Sequence, residues 1–475
     1  MVNNALTAAN RKLIVSRGLV MGILASLGLV YFFNNSLYLF VCLLTFYILL
    51  FLLWKPLRPG IVIFSVQLQW VQVFAYVLWM NSMDWDMDKL SNHGGIAVIM
   101  SCLGLIAMSA TISLGIRNIA VPTMEQFHVQ AKRINEKKVL LLYLFSTFIL
   151  GSLGLIVGGQ SGLLQIIWTI GSLKWVFFMV YGYVAWINKK NRLILVLIIL
   201  FEFTSSLYSY FSNFKDVLFY TIILSLTFIR RINFKQFIYG ILISAAVLML
   251  MLTWTAIKGD YRNFLNQGRK QQVVEVSRSE AFSKIGEKLS SLTWDDYMNV
   301  TGLFLYRVQY ILHLGKTMDR VPDLLPHEYG KVWWENISFV LMPRLFFPDK
   351  PIYEATVKTN KYTGFRYAGF KQGTSYSLGY FADSYIDFGY AGMFMPLVLI
   401  ALYVVWIYRG LYGFQNINIL FRYAIINTAL INFTTFEADG LFLFGRLTLL
   451  GLVFWAFNKF VFRYIQDWLY KPSQK

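Results

Sequence analysis

Charged residues are scarce in this sequence. Asp, Glu, Lys and Arg make up 14% of its 475 residues, against roughly 25% in a soluble domain. Cysteine is scarcer still. Cys42 and Cys102 are the two present, each inside an apolar run, which excludes a disulfide framework and a CxxC site. The four histidines, His93, His128, His313 and His327, are scattered, so no metal-ligand cluster is expected. No phosphate-binding glycine loop or nucleophile motif occurs, nor any internal repeat or low-complexity tract. The first apolar run lacks a cleavage pattern and is soon followed by another, so both read as retained spans.

What is present is apolar. The chain is 57% hydrophobic and 18% aromatic, with a mean hydropathy of +0.54, the composition of an all-α polytopic membrane protein in contact with the lipid bilayer. A span needs about 20 apolar residues. Twelve are expected, over 16–33, 37–54, 60–80, 95–115, 139–158, 163–187, 193–212, 216–229, 237–257, 391–408, 419–435 and 441–458. The net charge of +19 would suggest nucleic acid in a soluble protein. Here most of the excess lies between spans, and no reader motif occurs, so no nucleic-acid partner is expected. Every even-numbered span ends at a basic loop, among them Lys55 and Arg58, Arg117 to Lys138, Lys189 to Arg192, and Lys459 to Lys475. The positive-inside rule then puts both termini in the cytoplasm. The reading divides the chain into a nine-span bundle (1–257), a large external segment (258–390) and three C-terminal spans (391–475). The external segment carries 17 Lys and Arg against 14 Asp and Glu, a balance the rule permits outside.

Charges inside spans are expensive and face a cavity or a partner. Lys174 and Glu202 read as a structural pair. Arg446 lies near "FEADG", where Glu437 and Asp439 are within its reach. Lys215 occupies a short outer turn. The external segment adds Arg307, Arg344, Lys350, Arg366 and Lys371, and its stretch "PRLFFPDKP" (343–351) holds three prolines in nine residues, which rules out a regular helix. Asp383 and Asp387 share one helical face by their spacing. Cations gathered at an outer rim with few carboxylates suit a lipid diphosphate. Arg and Lys bind phosphate oxygens and neutralise a departing diphosphate, and a carboxylate or histidine accepts the proton of an attacking hydroxyl. Aromatic residues in this segment, Tyr385 with them, suit sugar contacts as well as interface anchoring.

Three stretches carry a resemblance to a known family. "MPRLFFPDKP", "GTSYSLGYFADSYIDFGYAGMF" and "FEADGLFLFGRLTLLGLVF" resemble elements of the O-antigen polymerases, the Wzy-type polymerases of lipid-linked oligosaccharide repeat units. The resemblance implies an inverting, metal-independent, GT-C-like glycosyltransferase without a cofactor. It would work on undecaprenyl-diphosphate-linked oligosaccharides at the outer, periplasmic face of the bacterial cytoplasmic membrane, with a chain-length regulator as a further partner. It points to Arg307, Arg344, Lys350 and Arg446 as diphosphate- or glycan-binding residues, with Lys215 where relatives hold arginine. For the base it leaves His313, His327, Asp383, Glu437 and Asp439 open. An O-antigen ligase and a flippase for the same lipids are the competing readings.

Overall fold

The computed structural model describes residues 14–15, 17–150, 161–208, 213–269, 274–343, 346–347, 349–369, 374–414 and 417–470. The regular elements of the described chain are helices, apart from one two-residue parallel pair of strands, β1 (Ile14–Val15) and β2 (Arg231–Ile232), and a single antiparallel bridge between Ile134 and Tyr470.

The helices are α1 (Arg17–Leu29), α2 (Ser36–Leu53), α3 (Ile61–Ser82), α4 (Gly94–Ile116), α5 (Met124–Arg133), α6 (Glu136–Phe145), α7 (Ser161–Gly171), α8 (Leu173–Asn188), α9 (Arg192–Leu207), α10 (Lys215–Phe228) and α11 (Phe234–Leu265). After them come α12 (Arg278–Ser291), α13 (Trp294–Val308), α14 (Ile311–Met318), α15 (Lys331–Leu341) and α16 (Ala355–Thr363). The C-terminal part holds α17 (Tyr380–Gly392), α18 (Phe394–Tyr412), α19 (Ile419–Ala429), α20 (Gly440–Phe460) and α21 (Phe462–Leu469).

Among the described residues seven helices are long and apolar enough to cross a membrane: α2, α3, α4, Ile166–Asn188, α11, α18 and α20. The other five expected spans are shorter. Those over 139–158 and 193–212 run into segments outside the described residues. Expected span 419–435 stops as a helix at Ala429 and continues as a one-turn 3-10 helix, Ile431–Thr434. Most residues of this broken stretch are buried, the setting in which irregular backbone is tolerated at membrane depth. The expected boundary at 257/258 falls inside α11, which continues to Leu265.

The basic loops gather at one end of the bundle. Leu57 N–H bonds Thr227 O (3.0 Å) and Asn135 N–H bonds Leu469 O (2.9 Å). Arg58 and Arg409 reach the carbonyls of Ile116 (3.0 Å) and Gly115 (2.8 Å). The starts of α8, α10 and α20 and the whole of α17 therefore lie toward the opposite end. There the segment 274–393 folds over the bundle. Its first two helices open with capping boxes, Ser277 with Glu280 and Thr293 with Asp296, which fix the N-termini of α12 and α13. Gly389, at φ +64° and ψ −164°, breaks α17 before the span α18. That left-handed backbone is one that a residue with a Cβ avoids.

Candidate functional site

The carboxylates of the two most distinctive motifs meet in one buried knot. Asp383, in the first turn of α17, and Asp439, just before α20, are both fully buried and both reach Lys358 of α16. The Lys358 Nζ lies 2.6 Å from Asp383 Oδ1 and 3.1 Å from Asp439 Oδ2, and the lysine side chain is 14% exposed. The remaining carboxylate positions are filled. Asp383 Oδ2 accepts from Asn336 Nδ2 (3.0 Å) and from Gly440 N–H (2.9 Å). Asp439 Oδ1 accepts from Leu378 N–H (2.6 Å) and Gly379 N–H (3.0 Å), and its Oδ2 from Tyr353 OH (2.9 Å).

The local sequence explains the knot. Gly440 opens a 21-residue helix, whose N-terminus favours negative charge. Asp383 bonds that N-terminus from another helix, which leaves Asp439 free to fasten the chain before α17. A Cβ on Gly440 would stand 2.7 Å from the Trp333 ring and 2.9 Å from Asn336 Nδ2, so glycine is required for the close approach. Burial pushes the Asp383 carboxyl up to about 6, with Lys358 pulling the other way and Asp439 adding to the rise. Burial also works against the Lys358 ammonium, but the two carboxylates outweigh it and hold the lysine well above its usual range. Lys358 stays charged.

An apolar groove of about 290 Å³ adjoins the knot. It runs between α18 and α20 under α15, from Trp333 and Gly440 at one end to Tyr403 and Leu447 at the other. On the knot's outer side, Tyr353 packs edge-on against Phe442 at 5.6 Å, and the Arg446 guanidinium lies over Phe442 at 5.7 Å. Arg446 is exposed and close enough to Glu437 for their charges to attract. Glu437 is itself exposed and accepts from Gln72 Nε2, which also reaches Val308 O at 3.4 Å. Gln69 and Gln72 of α3 hold the turn before α20. Gln69 donates to Phe433 O (2.6 Å) and Gln72 Oε1 accepts from Phe436 N–H (2.8 Å).

The other expected residues divide by exposure. His313 is buried, stacked on Tyr310 at 4.3 Å and 3.2 Å from Tyr367 OH. Burial pulls its imidazole down to about 4 against the opposing charge of Asp439, so it is neutral and sealed from any substrate. Tyr385 is buried too, its OH donating to Val321 O at 2.8 Å. That is a packing role rather than a sugar contact. Lys350 turns back onto α15, donating to Phe339 O and to Met342 O (2.8 Å). Those bonds cap the helix C-terminus and engage its ammonium. Arg307, Arg366 and Lys215 are exposed, and Arg307 and Lys215 lie within electrostatic reach of one another's neighbour Lys258. Arg344 and Lys371 lie outside the described residues. Lys174 and Glu202 pair at 2.9 Å.

Lys358 is the residue that sequence reasoning missed. Its helix, "ATVKTNKYT", reads as an ordinary polar segment. The available signal was indirect: two motif aspartates with no assigned counter-cation. Among the described residues no group of three His, Cys, Asp or Glu is placed to hold a metal ion.

A family described as a domain of unknown function, DUF8712, matches residues 62–436. The chain belongs to the DUF8712 family. No curated protein and no solved structure matches it. In this DUF8712 chain the matched region contains Arg307, Lys358 and Asp383, while Glu437, Asp439 and Arg446 follow it directly.

Proposed function

We propose that this protein is a GT-C-like membrane glycosyltransferase that polymerises oligosaccharide repeat units carried on undecaprenyl diphosphate, in keeping with its likeness to the O-antigen polymerases. One observation carries the reading. An apolar groove between two spanning helices ends at Gly440, whose N–H bonds Asp383 of the Lys358 knot, while exposed Arg446 and Glu437 lie on the knot's outer side. That arrangement suits a ligand with a long apolar tail and an anionic head.

On this reading the roles divide by exposure. Arg446, supported by Lys358 and Arg307, offsets the charge that grows on the departing diphosphate. Glu437 is the candidate base, because Asp383, Asp439 and His313 are sealed. It takes the proton from the acceptor hydroxyl as the new glycosidic bond forms. The bond from the anomeric carbon to the diphosphate oxygen breaks, and its electron pair leaves with the diphosphate. Asp383 and Asp439 are positioning residues that aim and charge Lys358.

The test supplies purified protein with lipid-linked repeat units and resolves the products by length. Wild type should yield a ladder. Glu437→Gln should slow it by about 10²- to 10⁴-fold, the usual worth of a general base, and Arg446→Ala should slow it at least tenfold while membrane insertion is unchanged. Transfer to a lipid A-core acceptor alone would identify a ligase, and passage of substrate across liposomes without bond formation would identify a transporter.

A further inference from the structure

A second polar hollow lies away from the knot. It measures about 300 Å³ and is lined from four helices and the turn before the last: Trp168 and Gly171 of α7, Lys174 and Trp175 of α8, Glu202 and Ser206 of α9, Asn213 of the turn, and Asp216 of α10. Chain direction places it at the same end of the bundle as the knot. The helices α8 and α10 both begin there and run toward the basic loops, as α20 does.

We propose that this hollow is a saccharide-binding site. Its size reaches the lower bound of small-molecule pockets, about 300 to 1,000 Å³, and is far more than an ion needs. Its chemistry selects among ligands of that size. Glu202 is already satisfied by Lys174 (2.9 Å) and by Tyr143 OH (2.7 Å), so that pair is a fixed wall. The Asp216 carboxylate makes no hydrogen bond or ion pair among the described residues, its N–H alone bonding Asn213 O (3.1 Å), and it lines the hollow with acceptor capacity unspent. Asn213 beside it offers donors and an acceptor. Trp175 is stacked on Tyr220 at 4.5 Å and covered by Lys174 Nζ at 4.6 Å. Trp168 is 66% exposed, which leaves its indole open to a ligand. Glu202 and Asp216 are balanced by Lys174 in the hollow and Lys215 within charge reach of Asp216, so the lining has no net charge to select a phosphate or a cation. A neutral polyhydroxylated ring, with one apolar face for Trp168 and hydroxyls for Asp216 and Asn213, satisfies the lining.

The hollow adds to the transferase reading a seat for the glycan of one substrate, near the cationic rim of Lys215, Lys258 and Arg307. Binding of a free sugar does not depend on that reading, so the two fail separately. The experiment is saturation-transfer NMR on the full chain in nanodiscs, with methyl glycosides of glucose, galactose, rhamnose and N-acetylglucosamine as probes. At least one probe should receive saturation. Asp216→Asn, which keeps the shape, and Trp168→Ala, which removes an exposed ring, should each reduce the signal at least fivefold, whereas Trp294→Ala should not. The proposal is overturned if no probe receives saturation, or if the signal survives both substitutions. Sugar binding without any polymer ladder would keep this site and remove the polymerase.

Discussion

At the scale of single residues, Lys358 sets the charge balance of the knot. Its ammonium neutralises one of two buried carboxylates, and the knot keeps one negative charge. Removing one partner of a buried pair typically costs about 3–5 kcal/mol, because the other is left uncompensated. Lys358→Met should therefore lower the thermal midpoint as well as abolish transfer, while Lys358→Arg should recover part of the stability. Equal midpoints for Met and wild type would show that the knot is not held by charge. The second expectation concerns pH. Asp383 has its folded pKa raised from 3.8 to about 6, so the folded chain binds this proton more tightly than the unfolded chain. The group contributes stability that is full below about pH 4 and is lost as pH rises through 6. Asp383→Asn cannot titrate. The midpoint of wild type relative to Asp383→Asn should fall between pH 4 and pH 7, as read by thermal melts in detergent. A constant difference would contradict the raised pKa.

At the scale of elements, α15 is held from outside at both ends. Asp387 accepts from Val332 N–H (3.1 Å) and Trp333 N–H (2.9 Å), and Lys350 bonds the carbonyls of its last turn. Asp383 and Asp387 do face one element, as their four-residue spacing implies. That much was legible, because helical periodicity is local. The identity of the element they face was not, since it is set by a contact about 50 residues away. The same limit explains "PRLFFPDKP". Its prolines announce a turn, and Phe346 N–H and Phe347 N–H do bond Pro343 O at 3.0 Å. The purpose of the turn could not be read locally: it returns Lys350 to α15 and leaves Phe346 74% exposed. Lys350→Ala should speed amide exchange in the last turn of α15 by several-fold, in line with about 0.3–1 kcal/mol for a cation at a helix C-terminus. It should leave the start of α15 protected by Asp387. Uniform exchange along the helix would deny Lys350 this capping role.

At the scale of the whole molecule, two features follow from each other. Lysines and arginines between spans form one end, and the carboxylate knot, the saccharide hollow and the segment 274–393 form the other. The pattern was legible because loop charge and span length are written along the chain. The number of full-length spans was not, because hydropathy alone does not separate a spanning helix from a broken one such as 419–434, where Gln69 and Gln72 of α3 hold the irregular backbone. The positive-inside rule places the basic end in the cytoplasm, which would present the knot and the hollow to the outer face. The chain is well suited to the measurement. Cys42 and Cys102 are both buried, with their sulfurs 3.9 Å apart, so they should stay silent toward a membrane-impermeant maleimide. Single cysteines at Lys132, Lys190 and Arg463 should label only after the membrane is opened, and those at Lys284 and Arg366 should label in intact cells. The reverse pattern would put the candidate site in the cytoplasm, where a substrate presented from the outer leaflet never reaches it.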